Sequence, residues 1–233
     1  MKSTWRLRIL QARAKQADLD EPLARQLKAG CAALALSPGA RQQALLLAYL
    51  ELLVKWNRAY NLTAVRDPAQ MVTRHLLDSL VIAPYLRGKH LLDVGTGAGL
   101  PGVPMAIMYP ERNFDLLDSN GKKTRFLFQV KTGLRLDNMQ VYHQRVESFR
   151  SSEPFDAVIS RAFASLADMV AGCRHLLADD GRFFAMKGTY PEQEIAALDP
   201  SCEVIAVNSL EVPGLSEQRH LVELIMLNRG ELG

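Results

Sequence analysis

His90-Leu91-Leu92-Asp93-Val94-Gly95-Thr96-Gly97-Ala98-Gly99-Leu100-Pro101-Gly102 is an apolar run that breaks into a glycine-rich turn and then resumes as a helix. Leu91, Leu92 and Val94 carry the signature of a short strand buried on both faces. Gly95, Gly97 and Gly99 allow backbone conformations, or close approach to the backbone, that a Cβ would obstruct. A strand that feeds a glycine turn and a helix N-terminus reads as a nucleotide-binding loop. In that reading, unpaired N–H groups and missing side chains let a ligand lie on the main chain.

Outward from this stretch, the chain alternates strand and helix. A helix over 101–109 is followed by a strand at Asn113–Asp118, a helix over 122–134, and short strands at 139–142 and Phe155–Ser160. Helix 166–177, an Asp180-Gly181 turn and a strand at 182–187 come next. Two strands at 203–207 and 220–227 then lie on either side of Pro213-Gly214 with no crossover helix between them. Strand–helix alternation requires right-handed crossovers and a parallel sheet, and the last two strands predict an antiparallel pair at its edge. The expectation is an α/β, mostly parallel, seven-stranded sheet that holds ligands at the carboxyl ends of its strands.

Before the first strand the apolar spacing is helical. It predicts helices over 22–35, over 38–60 with Pro38 at the first helical position, and over 69–85. The expected organisation is a basic N-terminal extension over 1–21, a helical cap over 22–86 and a ligand-binding core over 87–233. Residues 1–28 hold seven Lys or Arg against three acids, whereas the whole 233-residue chain has a net charge of only +3. Such an arm fits either a phosphate-binding segment or a solvated tail. No apolar run approaches the ~20 residues of a membrane span, so the expectation is a cytoplasmic protein with no membrane partner. Three widely spaced cysteines suggest neither a disulfide framework nor a metal site.

Asp118, at the end of the second strand, lies where an acid accepts hydrogen bonds from ribose hydroxyls. The alternative is a helix N-cap, and the ribose role is favoured because Ser119 or Asn120 is available to cap. Glu147 could reach an adenine edge or be a first-turn acid. Arg161, at the end of the fourth strand, could pair with a ligand carboxylate or an RNA phosphate. Lys187, Arg145 and Arg219 are candidate phosphate or guanine O6 contacts. Phe163 could stack on a base or fill the cap interface, and His75 and Trp56 read as cap-to-core packing.

The glycine run, together with Leu117-Asp118-Ser119, Lys122-Lys123, Val158-Ile159-Ser160-Arg161-Ala162-Phe163-Ala164, Lys55-Trp56-Asn57-Arg58-Ala59-Tyr60-Asn61-Leu62-Thr63 and Arg74-His75-Leu76-Leu77-Asp78-Ser79, resembles the RsmG/GidB family of bacterial small-subunit ribosomal RNA methyltransferases. The likeness runs from about residue 27 to the end. It implies a Rossmann-like class I methyltransferase that uses S-adenosyl-L-methionine, without a metal, to methylate guanosine N7 in 16S rRNA or the small ribosomal subunit, acting as a monomer. Carried over by position, Gly95, Leu100, Val146, Glu147 and Arg161 bind the methyl donor. Asp93, Gly97, Gly99 and Asp118 complete the cofactor set.

Guanine N7 has a lone pair and no proton, so no general base is needed. Arg161 and Lys187 are positioning candidates rather than catalytic groups. Methylation at a pyrimidine C5 would need an activated Cys after the fourth strand, and amino-group methylation typically uses an Asn or Asp with two prolines there. Ser160-Arg161 stands in that place. A nicotinamide dehydrogenase is the main rival, but its turn is spaced G-x-G-x-x-G rather than G-x-G-x-G. A non-catalytic RNA-binding assembly factor is the other.

Overall fold

The computed structural model describes residues 21–161 and 163–227, so residues 1–20 of the basic extension expected over 1–21 lie outside the described residues. Seven strands form one sheet: β1 (His90–Val94), β2 (Asn113–Asp118), β3 (Met139–His143), β4 (Phe155–Ser160), β5 (Leu177–Lys187), β6 (Cys202–Leu210) and β7 (Arg219–Met226). Their order is β3-β2-β1-β4-β5-β7-β6. The first five run parallel, while β7 pairs antiparallel with both β5 and β6. This is the expected mostly parallel sheet with an antiparallel end. β1 lies between β2 and β4, where the chain reverses its direction of winding, so its carboxyl end opens onto the switch-point crevice.

Period-two alternation divides the core between the two faces of the sheet. Leu91, Ile159 and Phe184 join Phe114, Phe126 and the helical layer in one cluster, and their neighbours Leu92, Val158 and Phe183 join Phe155, Leu166 and Met169 in the other. The helical layer consists of α1 (21–33), α2 (Ala40–Tyr60) and α3 (68–80). Tyr49 and Trp56 of α2 rest on Phe126 of the crossover helix Gly121–Leu134, at 6.3 and 5.6 Å between ring centres. The cap therefore shares one continuous core with a face of the sheet. The remaining helices are α4 (Gly102–Met108), α5 (Gly121–Leu134), α6 (Leu166–Cys173) and α7 (Glu192–Ala196).

Three local expectations are corrected. Pro38 precedes α2 instead of starting it: Gly39 is the N-cap, and its N–H donates to the Gln42 side chain at 2.7 Å. Helix α3 is not uniform, because Val72–Leu77 is wound as a π-helix between α-helical ends, and the chain turns after Leu80. Asp180-Gly181 is not a turn. β5 runs through it, with a register shift between Phe155 paired to Leu177 and Ala157 paired to Arg182. A Cβ on Gly181 would sit 2.8 Å from Leu177 Cγ and 2.9 Å from the Phe155 carbonyl oxygen, so the irregularity needs glycine. Gly181→Ala should cost about 1–3 kcal/mol through overpacking, lowering Tm by about 3–10 °C in thermal unfolding.

Candidate active site

The glycine turn is held mainly from below. Gly95, Gly97 and Gly99 have φ of 66°, 64° and 93°, the left-handed region that favours glycine. The N–H groups of Gly95 and Thr96 donate to the Leu117 carbonyl at 2.8 and 3.2 Å, and those of Gly99 and Leu100 to the Thr96 carbonyl at 2.9 Å each. Gly97 N–H donates to Asp118 Oδ2 at 2.8 Å. The loop thus differs from the sequence expectation, since these five N–H groups are already satisfied within the protein. What it presents to a ligand is the side-chain-free backbone of Gly95.

Asp93 lies beneath the loop with 1% of its surface exposed. Its Oδ2 accepts from the Thr96 hydroxyl at 2.6 Å and from Gly102 N–H at 2.8 Å, while Oδ1 is buried without a hydrogen-bond partner. Burial pushes the carboxyl up to about 6, against the opposing pull of these two donors and of Arg161.

Asp118 is buried, and its Oδ1 accepts from Asn120 N–H at 2.8 Å. Asn120 is the N-cap of α5 and accepts from Lys122 N–H at 2.9 Å, so the helix does not use Asp118 as its cap. Lys123 brings its ammonium within 3.7 Å of Asp118.

A cleft of about 280 Å³ opens over the carboxyl ends of β1 and β2. Gly95, Asp118, Arg145, Val146, Glu147 and Phe163 are among the residues lining it. Asp93, Gly97, Gly99 and Leu100 form the loop and its footing and do not line the cleft. Lys123 and Gln144 do line it and were given no role from sequence; Lys123, quoted only as part of a motif, stands in the first turn of a helix, where a lysine ordinarily reads as solvated.

A second depression, of about 380 Å³, contains Arg161, Lys187 and Arg219, together with Arg74, His75 and Asp78 from α3. Arg161 donates to Asp78 Oδ2 at 2.9 Å, and Arg219 Nε donates to Asp78 Oδ1 at 2.7 Å. Lys187 pairs with Glu194 at 2.7 Å. Arg145 therefore borders one depression, while Lys187 and Arg219 border the other. Asp78, which joins the two guanidiniums, stood in the sequence reading only as part of a motif, without a role, because an acid in an amphipathic helix looks like a solvent-facing one. His75 is buried, with Nε2 2.9 Å from the Thr63 hydroxyl, and burial lowers its proton affinity. Trp56 packs on α5, as expected from sequence.

Cys31, Cys173 and Cys202 are buried and free, with their thiols pushed up to about 11, 12 and 11 by burial. None is a thiolate nucleophile. Among the described residues no three His, Cys, Asp or Glu side chains gather as metal ligands, and no helix is long and apolar enough to cross a membrane.

The sheet order, with a glycine loop at the end of β1 and a cleft above it, defines a Rossmann-like class I methyltransferase. The fold agrees with that of the glycopeptide N-methyltransferase MtfA in complex with sinefungin (TM-score 0.57, 13% identity, covering 65% of this chain and 94% of that one). It agrees also with TrmN from Thermus thermophilus (TM-score 0.53, 16% identity, 67% and 53%). Residues 42–222 match the family described as GidB, rRNA small subunit methyltransferase G, and the chain belongs to that family. Ribosomal RNA small subunit methyltransferase G of Salmonella arizonae is 58% identical over 177 residues, 76% of this chain and 86% of that protein. The Pseudomonas aeruginosa protein of the same name is 56% identical over 200 residues, 85% and 94%.

Two outcomes follow for the buried acids. Asp78→Ala leaves two guanidiniums facing each other without their carboxylate. Because each is about a quarter exposed, the loss should be about 2–3 kcal/mol in denaturant unfolding, less than for a fully buried pair. Asp93 binds its proton more tightly folded than unfolded, so its contribution falls as pH rises from about 4 to about 6, and the penalty is complete above that. The stability of wild type minus that of Asp93→Asn should decline by on the order of 3 kcal/mol across this window, and a flat difference would show that Asp93 titrates normally.

Proposed function

We propose that the chain transfers the methyl group of S-adenosyl-L-methionine to N7 of a guanosine in the 16S rRNA of the small ribosomal subunit. The observation that carries this reading is the placement of the two depressions around the end of β4. Arg161 borders the basic depression, and Phe163, two residues later, borders the cleft over the glycine loop. A donor in the cleft and an acceptor nucleotide over the cationic depression would meet there. Family membership supports the substrate class.

In this arrangement the adenosyl part lies in the cleft. Asp118 accepts from ribose hydroxyls through lone pairs left beyond its bonds to Gly97 and Asn120, and Val146 and Glu147 border the base. Arg161 lies toward the methionine carboxylate, while Lys187, Arg219 and Arg145 hold the RNA backbone. The N7 lone pair attacks the sulfonium methyl carbon as the carbon–sulfur bond breaks, leaving S-adenosylhomocysteine and a methylated, cationic guanine ring. No proton moves in this step. The protein contributes alignment and water exclusion, effects worth on the order of 7–11 kcal/mol when reactants are well oriented.

Purified protein should transfer labelled methyl groups to small subunits or 16S RNA lacking the modification, with the label mapping to guanine N7. Donor binding without transfer to either substrate would refute the activity. Gly95→Val places a β-branched residue at φ 66° and should abolish donor binding with the fold retained by circular dichroism, whereas wild-type affinity would place the donor elsewhere.

A further inference from the structure

Tyr49 lies in the middle of α2 with none of its surface exposed, and its phenolic O–H donates to the Ala98 carbonyl oxygen at 2.7 Å. That carbonyl belongs to the glycine loop. Among the described residues, no other side chain of α1–α3 hydrogen-bonds residues 95–99. The position calls for more than an aromatic ring: the ring already packs on Phe126, and a phenylalanine would fill the same space. Burial holds the hydroxyl firmly protonated, so it remains a donor at any physiological pH.

The peptide that receives this bond joins Ala98 to Gly99. Gly99, at φ 93°, adds no Cβ to this peptide, and a peptide next to glycine rotates more freely than others. With the Ala98 oxygen fixed toward α2, the N–H of the same peptide, at Gly99, points the opposite way and closes on Thr96 O at 2.9 Å. The side-chain bond on its oxygen and the turn bond on its N–H together fix the orientation of this peptide plane within the donor loop.

We propose that Tyr49 is a positioning residue, through which the helical cap preorganises the glycine loop for the methyl donor. The inference rests on the reading that this loop holds the donor. The same cap carries Asp78, the partner of Arg161 and Arg219, so the helical layer braces the site at both the loop and the basic depression.

The test is equilibrium binding of S-adenosylhomocysteine to wild type, Tyr49→Phe, Leu53→Ala and Gly95→Val. Tyr49→Phe keeps the ring and removes only the donor, so the protein folds and its Kd should rise about fivefold to tenfold. In methyl transfer its KM for the donor should rise to match, with KM for RNA and kcat at saturating donor near wild type. Leu53→Ala, one turn further along α2, opens a cavity and lowers Tm at least as much, yet should bind with wild-type Kd. Wild-type Kd for Tyr49→Phe, with binding lost in Gly95→Val, would overturn the inference and leave the loop as the donor site. A rise in Kd that Leu53→Ala reproduces would reduce Tyr49 to general support of the fold and also overturn it. Wild-type binding by Gly95→Val would overturn both this inference and the placement of the donor.

Discussion

The site depends first on a buried carboxylate oxygen that two backbone-shaping donors share. Asp93 Oδ2 receives the Thr96 hydroxyl from one side of the glycine turn and Gly102 N–H from the other, tying the end of β1 to both the loop and the first turn of α4. A carboxylate this deeply buried is costly, which is why its proton affinity rises. The same constraint selects residues around it. A Cβ on Gly102 would stand 2.8 Å from Asp93 Oδ2 and 2.9 Å from Leu116 Cγ, so the helix can approach its anchor only as glycine. Gly99 is similarly confined, by Val103 and Leu127. The glycines of this stretch thus serve two ends: some turn the backbone, and some let helix, strand and loop close on one another.

A second tie joins parts of the chain that are far apart in sequence. Asp78 ends the π-helical segment of α3, Arg161 follows β4, and Arg219 opens β7 in the antiparallel part of the sheet; the three meet at bond distances below 3 Å. Each guanidinium would otherwise lie near the other with no neutralising charge. The carboxylate between them lets two cations converge at the rim of the basic depression while fastening the cap to the sheet. Arg74 and Glu217 repeat the link between α3 and the β6–β7 connection at the exposed margin, where solvent weakens it.

The legibility of the chain follows from how local each determinant is. Strands β2 and β4 match their expected bounds to the residue, because apolar runs bounded by turn residues are determined by neighbours in sequence. The antiparallel pair was visible in the absence of any crossover helix between the last two strands. A cap of α5 at Ser119 or Asn120 was legible for the same reason, since capping is a matter of two or three residues, and Asn120 supplies it. The β5 irregularity was not: Asp180-Gly181 satisfies every local criterion for a turn, and only the requirement to keep pairing with β4 carries the strand through it. Nor was the state of the loop, three of whose N–H groups find partners on β2, a different element. Asp78 and Lys123, quoted only as motif residues, were given no role because their significance lies in what the fold brings opposite them.

The chemistry of the proposed reaction explains why so much of the polar structure acts on the backbone. Nucleophilic and general-base catalysis both need a side chain with an available proton site or lone pair aimed at the reacting atom. Here the thiols are buried and shifted away from ionisation, Asp93 is turned under the loop, and Asp78 is held between two cations. Transfer of a methyl group to a ring nitrogen asks for none of these functions. It asks that sulfur, carbon and nitrogen be brought into line and that water be excluded. A loop fixed from β1, β2 and the cap, beside an arginine fixed from α3, supplies rigid positions for the donor on one side and the acceptor on the other. In such an enzyme the residues that most affect the rate need not touch the substrate; they determine where the bare backbone of the loop lies relative to the end of β4.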